Sequence, residues 1–561
     1  MRFHKPPKKL DFSRRQLAVF IVVFAAIGGY LVFKSLAVSS PNIYIAQAAA
    51  GVGDGSSCAN AKAASFFNTA GNWGTGSTQI GPGTTVHLCG TITSSLNVLG
   101  DGAAGNPITI YFEPNAKISQ PVCGDCMNMD NRNYITVDGG TNGIVESSNN
   151  GTNKANHASS TGISADPCNH CTIKNLTVQN IYVIASGDSY ICASGCAVDN
   201  AGAKCIRFSG HDWLIDHNTF HDASWCLYEY GNGAEANNRI SNNNIYNFDH
   251  GWAITGGGPY GTLFFNNNHI HDMGVWDACD SGANCHHDGI HCFFGGNGTS
   301  FAGSYIYDNT WDGTVGGNTT SWIYLESNSG SACATSTSKF YIFNNEFSSS
   351  DQVSTNPYLG SDGALPVPTY VYNNTFAGPG PGHFGPNGAG CLFVTKEFEN
   401  NVVGGCARLL DSSASPTDYN AYASTDTGNC FSTFNCNFSQ WQGTGKDAHS
   451  VFTLNGTTGA NAANVGTNLT SLCTGNLVPL CSDINGKSRP ASGPWDAGAV
   501  QVSGDGSGTK QGDLNGDGTV SILDLSILLS NYSTSNSVAD INKDGTVNIF
   551  DLSILLSDYG T

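Results

Sequence analysis

A short apolar run, an asparagine-rich corner and an apolar residue at a fixed offset recur along this chain. The copies read "WLIDHNTFHDA" from Trp213, "RISNNNIYNF" from Arg239, "LFFNNNHIHDM" from Leu263, "SYIYDNTWDG" from Ser304, "FYIFNNEFSS" from Phe340 and "TYVYNNTFAG" from Thr369. Second apolar runs lie between them ("CIRF", "CLYE", "WAIT", "GIHCF", "WIYL"), and no helical period is sustained across this region. None of these short strands can bury its face alone. Stacked as coils about 4.8 Å apart, each pairs with the same strand of the next coil and closes a continuous core. The corners agree, because Asn tolerates left-handed backbone and its side chain bonds locally. The pattern predicts an all-β chain, a right-handed parallel β-helix (solenoid) over residues 42–502. A β-propeller would repeat more evenly and carry a blade signature.

Three stretches carry a family resemblance. The opening "NIYIAQAAAGVGDGSSCANA", with "GPGTTVHLCGTI" and "GNPITIYFEPNAKI" after it, is similar to the N-terminal cap and first coils of pectate-lyase-like right-handed β-helix proteins. "DYNAYAS" resembles a late coil of that family, and "RPASGPWDAGAVQ" resembles its closing "D-x-GA" strand. The resemblance implies a polysaccharide-active fold. It leaves the reaction open, since such folds host lyases, hydrolases and non-catalytic binders.

The net charge of −20 in 561 residues argues against nucleic acid, which proteins hold with Lys and Arg. Much of the basic charge precedes Ser35, so the remainder is more acidic still and disfavours uronate polyanions unless a local basic groove or bridging Ca²⁺ intervenes. That basic tail (residues 1–16) leads into an uncharged apolar run, 17–33, long enough to span a bilayer, with a short linker at 34–41. Positive charge stays cytoplasmic, so the expected product is a membrane-anchored cell-surface protein, with secretion after signal cleavage as the alternative. The 20 cysteines lie between Cys58 and Cys481, with close pairs at Cys123/Cys126, Cys168/Cys171, Cys192/Cys196, Cys279/Cys285, Cys430/Cys436 and Cys473/Cys481. An oxidising compartment favours disulfides over zinc knuckles. Cys205 and Cys226 share a coil position and are expected to staple neighbouring coils.

After a Gly/Ser linker (503–511), residues 512–561 carry two near-identical segments, "DLNGDGTVSILDLSILLSNY" and "DINKDGTVNIFDLSILLSDY". Each has the calcium-loop pattern in which carboxylate and amide oxygens at positions 1, 3, 5 and 12 surround a hard cation. These are Asp513, Asn515, Asp517 and Asp524, then Asp540, Asn542, Asp544 and Asp551, with Thr519 and Thr546 offering backbone carbonyls. Two Ca²⁺ ions are expected. Tandem loop–helix units resemble a dockerin, which implies a cohesin-like partner and polysaccharide degradation. Ile522/Leu523 and Ile549/Phe550 stand where many dockerins present hydroxyls, so a different partner, packing on the β-helix, or a calcium-clamped terminus without partner all remain open.

Superposing the second runs as "KCIRF", "WCLYE", "GWAIT", "DGIHC" and "SWIYL" turns Ile206, Leu227, Ala253, Ile290 and Ile323 inward. Arg207, Tyr228, Ile254, His291 and Tyr324 then form an outward column suited to sugar rings and hydroxyls. The substrate-binding candidates are Arg207, Tyr228, Trp252, Tyr324, His250 and His287. A second column runs His221, Tyr246, His271, Asp312, beside Asp222, Asn247, Asp272 and Gly313. The catalytic candidates are Asp288, His291, Asp272, His271, Asp222 and Glu229, although Glu229 falls on the inward register. Hydrolysis needs two carboxyl groups about 5–10 Å apart, available among Asp222, Asp272, Asp288, Glu229 and Glu326. β-Elimination needs a base such as His291, Arg207 or Tyr324 and a cation on a uronate carboxylate, so an active-site Ca²⁺ belongs to that alternative. The expectation is an O-glycosyl hydrolase, with a lyase or a non-catalytic glycan binder as alternatives. On a strand, His287 and His291 would lie roughly 13 Å apart, which argues against a zinc pair.

Overall fold

In a computed structural model, the description covers residues 42–559, except 152–154, 184–202, 233–234, 275, 277–286, 294–299, 316–319, 327–332, 334, 336, 349–358, 361–366, 378–395, 405–415, 424–438, 440–441, 444, 454–461, 502–511, 516–519, 537, 543–544 and 558. The expected anchor at 17–33 lies outside the described residues. Among the described residues no helix is long and apolar enough to cross a membrane.

The strands pair in parallel with their counterparts one coil on, generating three faces. The first runs Leu214–Asp216, Asn238–Ser241, Tyr260–Asn266, Phe301–Tyr307, Phe340–Phe343 and Thr369–Tyr372. The second follows the asparagine corner, for example His269–His271 on Thr310–Asp312. The third runs Ala203–Phe208, the end of Thr219–Asn232, the end of Asn244–Gly257, Asp288–Cys292 and Ser321–Leu325. At the N-terminus Asn42–Ala46 opens the stack on Thr85–Leu88, burying Ile43 and Ile45. Inward residues form one stacked core in which Trp252, Phe265, Trp311 and Phe347 lie nearly face to face. Burying such rings is worth about 2–3 kcal/mol each, so stacking identical short strands suffices to hold a long chain together.

The asparagines are a ladder inside the core. Asn218, Asn243, Asn268, Asn309, Asn345, Asn374, Asn401 and Asn420 occupy one corner position and are buried. From Asn218 to Asn401, each backbone N–H and side-chain amide donates to the carbonyl oxygen of the next Asn side chain, as from Asn243 to Asn268 (2.9 Å for both), and Asn420 ends the ladder on Ser450 and Asp447. The same amide donates to a carbonyl below, as from Asn309 to Phe265 (2.9 Å). The residue just before each has a left-handed backbone, for instance Asn242 at φ 56° and Asn344 at φ 54°. Asn adopts that conformation at little cost.

Residues 462–501 add no further coil, which corrects the closing-strand expectation for "RPASGPWDAGAVQ". They form a strap along the left-handed corner. Asn344 Nδ2 donates to Ser482 O (2.8 Å), Asn373 Nδ2 to Asp496 O (3.0 Å) and Asn400 Nδ2 to Thr467 O (2.8 Å). Arg489, buried, donates to Asn344 Oδ1 (3.0 Å), while Leu469, Leu480 and Trp495 pack on Tyr307, Phe343 and Tyr372. The left-handed Asn side chains point outward, so their amides need partners, and the strap supplies backbone carbonyls.

Disulfides join Cys58–Cys89, Cys123–Cys126, Cys168–Cys171, Cys292–Cys333 and Cys473–Cys481. The pairs Cys192/Cys196, Cys279/Cys285 and Cys430/Cys436 lie outside the described residues. Cys205 and Cys226 are buried free thiols, contrary to the expected staple. They are register partners on parallel strands, so both Cβ vectors point the same way into the core rather than toward each other.

Candidate functional site

Register on the third face differs by one residue from the superposition above. Leu227 pairs with Trp252 and Trp252 with Ile290, whereas Tyr228 pairs with Ala253 and Ala253 with His291. The outward column is therefore Arg207, Tyr228, Ala253, His291, Tyr324. Trp252 is a core residue, removed from the substrate-binding set because its indole points inward and donates to Glu229 Oε2 (3.2 Å).

Several catalytic candidates are relocated by the same geometry. Glu229 lies wholly inside, accepting from Asn238 Nδ2 (2.8 Å), and burial pushes its carboxyl up to about 8. A polysaccharide cannot reach it. Asp222 and Asp272 occupy left-handed corners (φ 51° each), as does Asn247. Asp222 accepts from His221 Nδ1 (2.7 Å), which holds its carboxyl below the usual range. Asp272 accepts from Thr314 N (2.9 Å) and His271 Nδ1 (2.7 Å), with the same consequence. These contacts make both aspartates corner caps and leave neither suited to donating a proton near neutrality. His271 belongs to a stacked ladder on the second face with His221 and Tyr246, ring centroids 4.7 and 5.0 Å apart.

What converges instead is a cluster at the turn into the third face. Trp225, His250, Asp288 and Ser321 share one coil position, the first pair from the corner. His250 Nε2 lies 3.2 Å from His291 Nδ1, and His291 Nε2 lies 3.2 Å from Glu326 Oε1. Asp288 Oδ2 lies 3.6 Å from His291 Nδ1, and its Oδ1 accepts from Ser321 N (2.9 Å). Asp249 Oδ1 sits 3.4 Å from His250 Nδ1 and 3.2 Å from His287 Nε2. All are largely buried, His291 being 5% exposed and His287 and Asp288 0%. Burial drives the Asp288 carboxyl well above its ordinary range. Trp225 stacks on His250 (4.5 Å), and Tyr324 meets His291 edge-on (5.4 Å).

At the other end of the column Arg207 donates to Asp166, and Lys204 lies over the Tyr228 ring (4.8 Å). Ala253, between Tyr228 and His291, contributes no side chain beyond Cβ and is fully buried. Sequence reasoning missed Lys204, Trp225 and the outward place of Ala253, whereas Asp249 beside His250 was legible in "DHGWA". The signal for Ala253 was available, because Leu227 and Trp252 lie equally far from their corner asparagines, Asn218 and Asn243. His286, next to His287 in the chain, lies outside the described residues.

In the C-terminal module Asp524 Oδ1 accepts from Leu514 N and Asn515 N (2.8 and 3.0 Å), and Asp551 Oδ1 accepts from Ile541 N and Asn542 N (2.7 and 3.0 Å). Asp540 Oδ2 accepts from Gly545 N (2.8 Å), where φ is 92° and glycine is required. Each loop thus curls around its own carboxylates, and Asp513, Asp524, Asp540 and Asp551 are all buried. Buried carboxylates gathered this way fit a calcium ion. Asp517, Thr519 and Asp544 lie outside the described residues. Ser521 caps the helix Ile522–Ser530 in a capping box with Asp524. Ile522, Leu523, Ile549 and Phe550 are more than half exposed, so they do not pack on the β-helix.

Comparison with known proteins assigns the module. Residues 511–557 match the dockerin type I domain, a calcium-binding module that docks to cohesins, and the chain carries this domain at its C-terminal end. No curated protein matches the sequence. Among solved structures, a pectate lyase, Pel9A, aligns at 14% identity over 83% of this chain and 98% of its own, with TM-score 0.34. A mannuronic acid specific polysaccharide family 6 lyase from human gut microbiota aligns at 14% identity over 74% of this chain and 92% of its own, TM-score 0.33. A GH136 lacto-N-biosidase from Eubacterium ramulus aligns at 11% identity over 79% and 71%, TM-score 0.36. The coiled architecture itself rests on the chain's own strand pairing.

Proposed function

We propose that this dockerin-bearing right-handed β-helix cleaves a uronate-containing polysaccharide outside the cell by β-elimination, along the outward column of its third face. The observation that carries the reading is the registered sequence Arg207, Tyr228, Ala253, His291, Tyr324, in which a basic and aromatic end meets an imidazole–phenol end across a small residue. Arg207, Lys204 and Tyr228 bind neighbouring sugar units by charge and ring stacking, giving the local basic groove that an acidic chain needs for an acidic substrate. The paired imidazoles of His250 and His291 anchor the carboxylate of the unit being cleaved. Tyr324 beside them takes the proton from the carbon bearing that carboxylate; the electrons of that C–H bond become the new C=C bond, the leaving oxygen departs with the electrons of its own bond, and the proton passes from Tyr324 to it.

The expected hydrolase loses ground because, of its carboxyl candidates, only Asp288 and Glu326 come together, on either side of His291. Asp222 and Asp272 cap corners, Glu229 is in the core, and Asp288 is wholly buried. Two Ca²⁺ ions in the dockerin and a cohesin-like partner contacting Ile522, Leu523, Ile549 and Phe550 complete the proposal, with residues 17–33 anchoring the protein at the cell surface.

The test is to follow reducing ends and unsaturated-product absorbance together on uronate and neutral polysaccharides. Both signals should rise on a uronate glycan, and Tyr324→Phe should lower kcat by about 100-fold or more. Reducing ends without unsaturated product would replace elimination by hydrolysis. Silence on every glycan, with binding retained, would make the protein a binder.

A further inference from the structure

We infer that His250, His291 and Asp288 form a binding site for one divalent transition metal of the zinc class, distinct from the dockerin's calcium loops. Two imidazole nitrogens and one carboxylate oxygen, all buried, lie within 4.8 Å of one another. The inference rests on the elimination reading only for the metal's task, since the site's geometry stands alone.

The far side of each ring sets which nitrogen carries the proton. His250 turns Nδ1 toward Asp249 Oδ1 (3.4 Å), and His291 turns Nε2 toward Glu326 Oε1 (3.2 Å). Glu326 bonds His291 Nε2 and so keeps a proton there, leaving His291 Nδ1 a lone pair facing the cluster, the arrangement by which metal-binding histidines are oriented. His250 Nε2 stands 3.2 Å from that nitrogen, close enough for the two to hold one cation once the proton they share is displaced by it. Asp288 Oδ2 joins from 3.6 Å and, though buried, has no hydrogen-bond donor among the described residues. An unsatisfied buried carboxylate oxygen is costly, and a metal ion would satisfy it.

The spacing fits. Bonds of 2.0–2.1 Å in a tetrahedral site place neighbouring donor atoms about 3.3 Å apart. The observed 3.2 and 3.6 Å bracket that figure. Two imidazoles with one carboxylate select Zn²⁺-like ions over Ca²⁺, which takes oxygen ligands. The earlier objection, that two histidines on one strand stand too far apart, does not apply, because the second imidazole comes from the preceding coil. With three protein ligands the fourth position of a tetrahedral ion stays open. There the ion would neutralise a substrate carboxylate beside Tyr324.

The experiment uses the full chain, stripped with 1,10-phenanthroline and kept in excess Ca²⁺ so that the dockerin stays loaded. Titration with Co²⁺ should bring in one equivalent showing the intense visible absorption of a four-coordinate nitrogen-ligated ion, and Zn²⁺ should displace it. His250→Gln and Asp288→Asn should abolish that absorption. Asp249→Asn, which touches no metal, should weaken Zn²⁺ affinity about 10- to 100-fold with the spectrum retained, a change that folding defects alone would not produce. Co²⁺ uptake that is unchanged in His250→Gln, or wild-type protein with no such absorption, overturns the site. Should the ion bind and no uronate glycan be cleaved, the site stands and elimination falls. Full elimination by stripped protein removes the metal's catalytic task and leaves the reaction assignment intact.

Discussion

Glu229→Gln tests whether a carboxyl group truly sits inside the coil. The wild-type side chain is fully buried, held by Asn238 and Trp252, and its pKa is raised from 4.5 to about 8. Desolvation outweighs the two donors, so the folded protein keeps the proton that the unfolded chain releases above its ordinary pKa. The folded state therefore binds more protons between pH 4.5 and about 8, and stability falls as pH rises through that window. The slope is about 1.4 kcal/mol per pH unit, so near pH 7 the wild type has lost on the order of 3 kcal/mol relative to acid conditions. Glutamine does not titrate. It accepts one of the two donors and presents an amide to the other, a cost of about 1–2 kcal/mol that does not change with pH. Urea midpoints of both proteins, taken from about pH 5 to about pH 8 with tryptophan fluorescence, give the difference directly. The variant should gain on the wild type steadily with pH, by about 3 kcal/mol in all. A difference that stays flat, or one that turns toward the wild type as pH rises, would refute the buried-acid account.

Other consequences follow from particular contacts. Asn309→Ala removes an amide bonded to Phe265 O and Asn345 and an oxygen accepting from Asn268, so unfolding midpoints should show a loss of about 3 kcal/mol; under about 0.5 kcal/mol would mean the ladder is incidental. Trp252→Phe should leave glycan affinity unchanged while Tyr228→Ala weakens it about tenfold, measured by affinity electrophoresis; equal losses would put Trp252 back on the surface. Chelating calcium should unfold the helices Ile522–Ser530 and Ile549–Ser557, lowering helical circular dichroism while the β-helix melts at an unchanged temperature.

The sequence alone determined the coil. Short apolar runs that cannot bury themselves and corners of Asn that tolerate left-handed backbone admit few other folds, and each calcium loop is contiguous, so its ligands could be read in order. Local pattern also revealed that histidines and carboxylates gather in the middle coils. It did not reveal which of them meet. A one-residue slip moved Trp252 from core to surface, because alternating strands report a face only once the register is known. Asp222 and Asp272 read as acids until their left-handed corners and neighbouring donors made them caps. The strap over 462–501 was invisible because its partners, Asn344, Asn373 and Asn400, are outward amides whose needs appear only when the coils are stacked. The segment "NCHHDGIHCFF" shows the division most clearly. On its own strand His291 has no second imidazole within reach, and only the stacking of one coil on another, a few ångströms apart, brings His250 up to face it.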